Sequence, residues 1–208
     1  MKQIVVISLS LSLLTNCGVL SRSKSLSVED YAQWYAKEKF VFSTKQEVNA
    51  VQYELTYVPY EFQVGYALRQ GNLTLDEAKG MQGDFTNEHT FKLSLVLPNQ
   101  GKDIYSYNEK SQLSKEQKML YYLNDLKKDV LLINKSGDTL PCINALLEIG
   151  ISNMNVATFL FDFNKIERNQ IKELNFQDKL LSEQMVAFDL SKMNLKRIPK
   201  LSLKGYGK

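Results

Sequence analysis

One histidine, one tryptophan and two cysteines among 208 residues leave few groups for common side-chain chemistry. The usual zinc sets need several histidines or cysteines, and His89 with no free cysteine pair supplies none. A nucleophile activated by histidine must use His89, most simply with Cys142. Cys142 lies in the apolar stretch Leu140-Pro141-Cys142-Ile143, whereas His89 sits in or beside the polar stretch 83–90, and no G-x-S-x-G elbow accompanies them. A Ser-His-Asp triad would need the same histidine. Asp84, Asn87 and Glu88 lack the spacing of a calcium loop, and there is no Walker or dinucleotide fingerprint. Paired acids such as Asp76 and Glu77 fall in a helix first turn, where the helix dipole accounts for them. Glycosidases need two acids across a cleft, and nothing in the pattern marks such a pair. The expectation is a protein without catalytic residues, metal or cofactor.

A large excess of either charge is also lacking. The formal net charge is +3, or +2 once a leader containing Lys2 is removed, which argues against nucleic acid as a partner, since that needs a concentrated basic face. The balance is uneven all the same. Residues 189–208 carry Lys192, Lys196, Arg197, Lys200, Lys204 and Lys208 against Asp189. A frayed, solvated tail is the simple reading; contact with phosphate-bearing lipid head groups is the alternative. Cys142, in its apolar setting, reads as a buried, inert thiol.

No apolar run is long enough to cross a membrane. Residues 4–14 would form a helix of about 16 Å against a hydrocarbon core of about 30 Å. With Lys2 before it, this run fits a processed export signal. It ends in Leu14-Thr15-Asn16-Cys17, which resembles the lipobox of bacterial lipoproteins, most like an envelope lipoprotein of Bacteroidetes-like bacteria. Leu14 and Thr15 match that pattern; Asn16 departs from it, since Gly, Ala or Ser is usual there. The resemblance implies a signal peptide over 1–16, lipidation of Cys17 (palmitate being one such acyl chain) and a tether over 17–27. Gly18 is not the aspartate of inner-membrane retention and no acidic run follows, so the resemblance implies the outer membrane, facing the periplasm. An ordinary secretory signal with an incidental cysteine and a cytosolic chain with an apolar start are the other readings.

The remainder, 28–208, reads as one globular domain, with no Gly/Pro-rich linker to divide it. Ser27-Val28-Glu29-Asp30, Thr74-Leu75-Asp76-Glu77 and Ser114-Lys115-Glu116-Gln117 have capping-box spacing and open helices. The first helix carries an aromatic stripe (Tyr31, Trp34, Tyr35), expected to pack on a sheet. Residues 51–58, 91–97, 157–163 and 186–190 alternate as strands with one buried face. Residues 60–68 fit a strand or a helix, and 83–90 a loop. Lys135-Ser136-Gly137-Asp138 reads as a turn, and Pro141 marks an edge or a bulge. The expected fold is α+β: a mainly antiparallel, Ig-like two-sheet sandwich over 129–200, with the helices and strands of 28–128 packed on it.

Eleven tyrosines, among them Tyr53, Tyr57, Tyr60, Tyr66, Tyr105, Tyr107, Tyr121 and Tyr122, serve either the core or a contact surface. If they serve a surface, Tyr60 and Phe62 are the strongest partner-binding candidates, because they follow Pro59 beyond the regular alternation. Asp138-Thr139-Leu140 resembles the short O-glycosylation motif of Bacteroidetes-like envelope proteins. The functional expectation is a membrane-tethered, non-enzymatic subunit that binds or scaffolds other envelope proteins, for example in a secretion or surface-assembly complex. An envelope hydrolase acting on glycan or peptide is the alternative.

Overall fold

Alternation with period two governs the larger of two sheets. Along residues 51–58, Val51, Tyr53, Leu55 and Tyr57 are buried while the residues between them are partly exposed. The computed structural model describes residues 25–85, 87–98, 103–107, 113–148 and 155–207; the leader, the lipobox and Cys17 lie outside them. In chain order the elements are β1 (Ser25–Leu26), α1 (Val28–Glu38), β2 (Ser43–Val48), β3 (Val51–Val58), α2 (Tyr60–Arg69), α3 (Leu75–Gly80), β4 (His89–Val96), α4 (Lys115–Asn124), β5 (Val130–Asn134), β6 (Thr139–Pro141), β7 (Asn144–Glu148), β8 (Val156–Phe163), β9 (Ile171–Gln177), β10 (Met185–Asp189) and β11 (Lys200–Leu201). None of the described helices is long and apolar enough to cross a membrane.

The fold is an α+β two-sheet sandwich. One sheet has the order β2-β3-β4-β8-β7 and the other β10-β9-β5-β6, with antiparallel neighbours throughout. The larger sheet contributes Tyr53, Leu55, Phe91, Leu93, Phe159 and Phe161 to the core, and the smaller contributes Leu132, Leu174, Phe176 and Phe188. Burying each such side chain stabilises the fold by about 1.5–3 kcal/mol. Tyr53 spans the gap, its ring 6.2 Å from that of Phe176 and its hydroxyl donating to the Asp178 carboxylate. That carboxylate also accepts from the backbone N–H groups of Leu180, Leu181 and Ser182 at 2.9, 3.0 and 2.8 Å. A buried acid is thereby satisfied where β9 ends. The chain passes between sheets at Cys142 and Ile143, which join edge strand β6 to edge strand β7; Pro141 lies on an edge, where a missing N–H does no harm.

The sandwich extends beyond 129–200, because β3 and β4 from the first half are interior strands of the larger sheet. Residues 60–69 form a helix. The basic C-terminal segment is not a frayed tail: Leu195, Ile198, Leu201 and Leu203 are buried, and β11 pairs in parallel with β1, matching Ser25 to Lys200 and Leu26 to Leu201. Ser202 N–H donates to the Leu26 carbonyl at 2.7 Å. Residues 25–27, expected in the tether, belong to the fold, since Ser27 also caps α1. The aromatic stripe of α1 packs mainly on α2 rather than on a sheet. The caps at Thr74 and Ser114 are reciprocal, as their spacing suggested.

The two-residue turn between β2 and β3 places Asn49 at φ 50° and Ala50 at φ 63°, the left-handed pair a tight hairpin requires. Asn tolerates that region; alanine is strained there by about 1–2 kcal/mol. Ala50→Gly removes the strain and adds about 0.5–1 kcal/mol of unfolded-chain entropy. We expect a net stabilisation of about 0.5–1 kcal/mol in denaturant unfolding.

Candidate functional site

Helix α2 follows Pro59 and buries Glu61, Val64, Gly65 and Leu68 as one face. The acid in that apolar stripe meets Arg168, which opens the turn Arg168–Gln170. One guanidinium nitrogen of Arg168 donates to both Glu61 carboxylate oxygens at 2.7 Å and to the Phe85 carbonyl at 2.5 Å. Burial pushes the Glu61 carboxyl above its usual range, and the Arg168 charge pulls it back. Arg168 also stacks over Tyr57, 6.0 Å from the ring centroid. A buried pair of this kind gives little net stability, but removing one partner strands the other charge.

His89 lies beside this pair. It begins β4 and is buried, so the expected loop position is corrected: polar neighbours mask a core residue. Its Nε2 is 2.7 Å from the Ile166 carbonyl and its Nδ1 is 3.0 Å from the Tyr57 hydroxyl. A carbonyl only accepts, so Nε2 carries the proton and Nδ1 accepts from Tyr57. Burial lowers the His89 pKa to about 4, the Arg168 charge adding to this and the Ile166 bond opposing it. Cys142 is buried too; its thiol donates to the Asn144 carbonyl at 2.8 Å, and burial pushes its pKa up to about 12. The hydrogen-bond partners of His89 and Cys142 do not overlap. Thr139 of the glycosylation-like motif is exposed at the start of β6.

Tyr60 and Phe62 are both half-buried against the core, on opposite flanks of α2. Tyr60 packs on Phe85 with ring centroids 5.8 Å apart, and burial together with Glu88, Asp84 and Asp162 raises its hydroxyl pKa. Phe62 packs on Tyr35 of α1 at 4.2 Å and on Tyr66 at 6.1 Å. Tyr66 is 53 % exposed, so a ledge of rings runs outward from Tyr35 through Phe62 to Tyr66. Tyr53, Tyr57 and Tyr122 are core residues. A second apolar stripe, Leu120 and Leu123, is exposed on α4.

A cavity of about 710 Å³ opens between the residues around Arg168 and the segment 190–198. Its base is Ile171, Leu190 and Ile198; its walls include Lys135, Lys192 and Lys196. Among its described lining residues Glu167 is the one carboxylate. No group of three or more His, Cys, Asp or Glu among the described residues is arranged to hold a metal ion. Comparison of the chain with known protein families, characterised proteins and solved structures finds no match.

Sequence reasoning singled out Tyr60 and Phe62 as partner-binding candidates, but not the Glu61–Arg168 pair or the cavity. The pair had one local signal, an acid at the 61-64-68 apolar spacing; its partner lies 107 residues away.

The His89 environment makes stability depend on pH. The folded histidine titrates near 4 against an ordinary value of 6.5. Its contribution is complete above pH 6.5 and is lost as pH falls towards 4, because the unfolded chain binds a proton that the fold refuses. That loss is on the order of 3 kcal/mol. Glu61, raised by burial, titrates in the opposite sense and is common to parent and variant. Unfolding of His89→Gln should therefore show a flatter dependence than the parent between pH 6.5 and 4; equal slopes contradict the assignment.

Proposed function

We propose that this chain is a lipid-tethered bacterial envelope protein that acts by binding, holding a partner protein close to the outer membrane on its periplasmic side. The observation that carries the binding role is the ledge Tyr35–Phe62–Tyr66, whose outermost ring is 53 % exposed although two further rings support it from below. An aromatic body with a polar tip, held rigid on a helix, suits a protein contact. The lipobox-like Leu14-Thr15-Asn16-Cys17 supports the tether. With residues 25–27 in the fold, residues 18–24 remain as linker, a reach of about 23 Å at about 3.3 Å per residue. So short a linker gives a second binding event at the membrane a high effective concentration.

The hydrolase reading is less well supported. Acid–base cleavage of a glycan calls for two carboxylates across a cleft, and Glu167 is the one described carboxylate, among lysines, in the cavity beside Arg168.

Tyr66→Ser should shift the thermal unfolding midpoint little, since Tyr66 is about half exposed, and should remove the proteins that co-purify with the parent from crosslinked native membranes. The same proteins retained by Tyr66→Ser, but lost by Leu120→Ser/Leu123→Ser, would move the contact to α4 and contradict the ledge.

A further inference from the structure

The cavity beside Arg168 has a composition that selects its ligand. Four cationic side chains line it, Lys135, Arg168, Lys192 and Lys196, against the single carboxylate of Glu167. Arg168 is neutralised by Glu61, and Lys192 lies 3.8 Å from Asp189, a long contact between exposed groups. Lys135 and Lys196 have no ion-pair partner among the described residues. Three flexible ammonium groups around one concavity repel one another unless an anion lies between them. Asn87, Asn169 and Asn194 add amide donors and acceptors to the walls.

We infer that this cavity binds a phosphate group. A phosphate monoester presents three acceptor oxygens and close to two negative charges, matching three ammonium donors drawn from two parts of the chain. A lone carboxylate would satisfy fewer of them. None of the described lining residues is aromatic, so a neutral sugar finds no ring on which to stack. The lysines come from separate parts of the chain: Lys135 from the turn after β5, Lys192 and Lys196 from the segment between β10 and β11. That segment is held in place by buried Met193, Leu195 and Ile198, so the backbone carrying Lys192 and Lys196 is fixed by the core.

Two sources of phosphate fit, a soluble phosphate monoester and the head group of an anionic phospholipid. The segment carrying Lys196 runs directly into β11, which pairs with β1, the first described strand after the proposed tether. The lipid source therefore rests on the tethered reading above; the soluble source does not.

The test uses the full chain and its Lys135→Gln/Lys196→Gln variant. Titration of each with glycerol 3-phosphate, inorganic phosphate and uncharged glycerol is followed by calorimetry. The parent should bind the two phosphates, more weakly as salt is raised, and not glycerol; the variant should lose about tenfold in affinity. Both are then mixed with phosphatidylglycerol and phosphatidylcholine vesicles, where any acyl anchor contributes alike to parent and variant. Extra retention of the parent on phosphatidylglycerol, competed by glycerol 3-phosphate, identifies the lipid source. Phosphate binding without that extra retention identifies a soluble ligand and leaves the site standing. Equal phosphate affinity in parent and variant, or none in the parent, overturns the site. The substituted lysines are exposed, and circular dichroism checks the fold. Should the double variant unfold, Lys135→Gln and Lys196→Gln are read singly, each expected to lose about threefold.

Discussion

The apolar face shared by the two sheets is the constraint on which everything else hangs. Tyr53, Leu55, Phe91, Phe159 and Phe161 on one side, and Leu174, Phe176 and Phe188 on the other, are buried in one apolar cluster. Any polar group carried into that layer needs an internal partner. Three such groups find one by different means. Asp178 gathers backbone N–H groups and the Tyr53 hydroxyl. Glu61 takes Arg168, and His89 stays neutral between Tyr57 and the Ile166 carbonyl. Glu61 with Arg168, and His89 with Tyr57 and Ile166, tie helix α2 and the segment at Arg168 to the sandwich, while Asp178 fixes the turn after β9.

That engagement sets the surface. Fixing α2 by Glu61 on its inner face presents Tyr60 and Phe62 on its two flanks and Tyr66 outward. Fixing Arg168 places one end of the cavity whose other wall is the segment leading to β11. The pairing of β1 with β11 then sets Lys200 beside Ser25, where the described chain begins. The cationic cavity and the aromatic ledge thus follow from the same few interior contacts, and each can be altered by surface substitutions that spare them.

Much of this architecture was legible locally. The alternation of 51–58 and 157–163 placed two interior strands, and the spacing of Thr74 with Glu77 and of Ser114 with Gln117 placed two helix starts. What failed were cases where long-range contacts override local composition. His89 is surrounded by polar residues in sequence yet is paired across the sheet with Phe163. The tail after Asp189 looked soluble because its lysines are close together, while the residues between them (Leu195, Ile198, Leu201, Leu203) carry the packing. Residues 60–68 suited either period until Glu61, Val64 and Leu68 found a common face. The cavity was hidden because Lys135, Arg168 and Lys196 are brought together only by the strand order.

The central claim is that this domain works from a lipid anchor at Cys17, and the direct measurement is the intact mass and N-terminal peptide of the protein extracted from its native membranes. The account predicts a mature chain beginning at Cys17, its first residue heavier by a diacylglycerol group and an amide-linked acyl chain. An unmodified Cys17, or a mature chain beginning at any other residue, would contradict it.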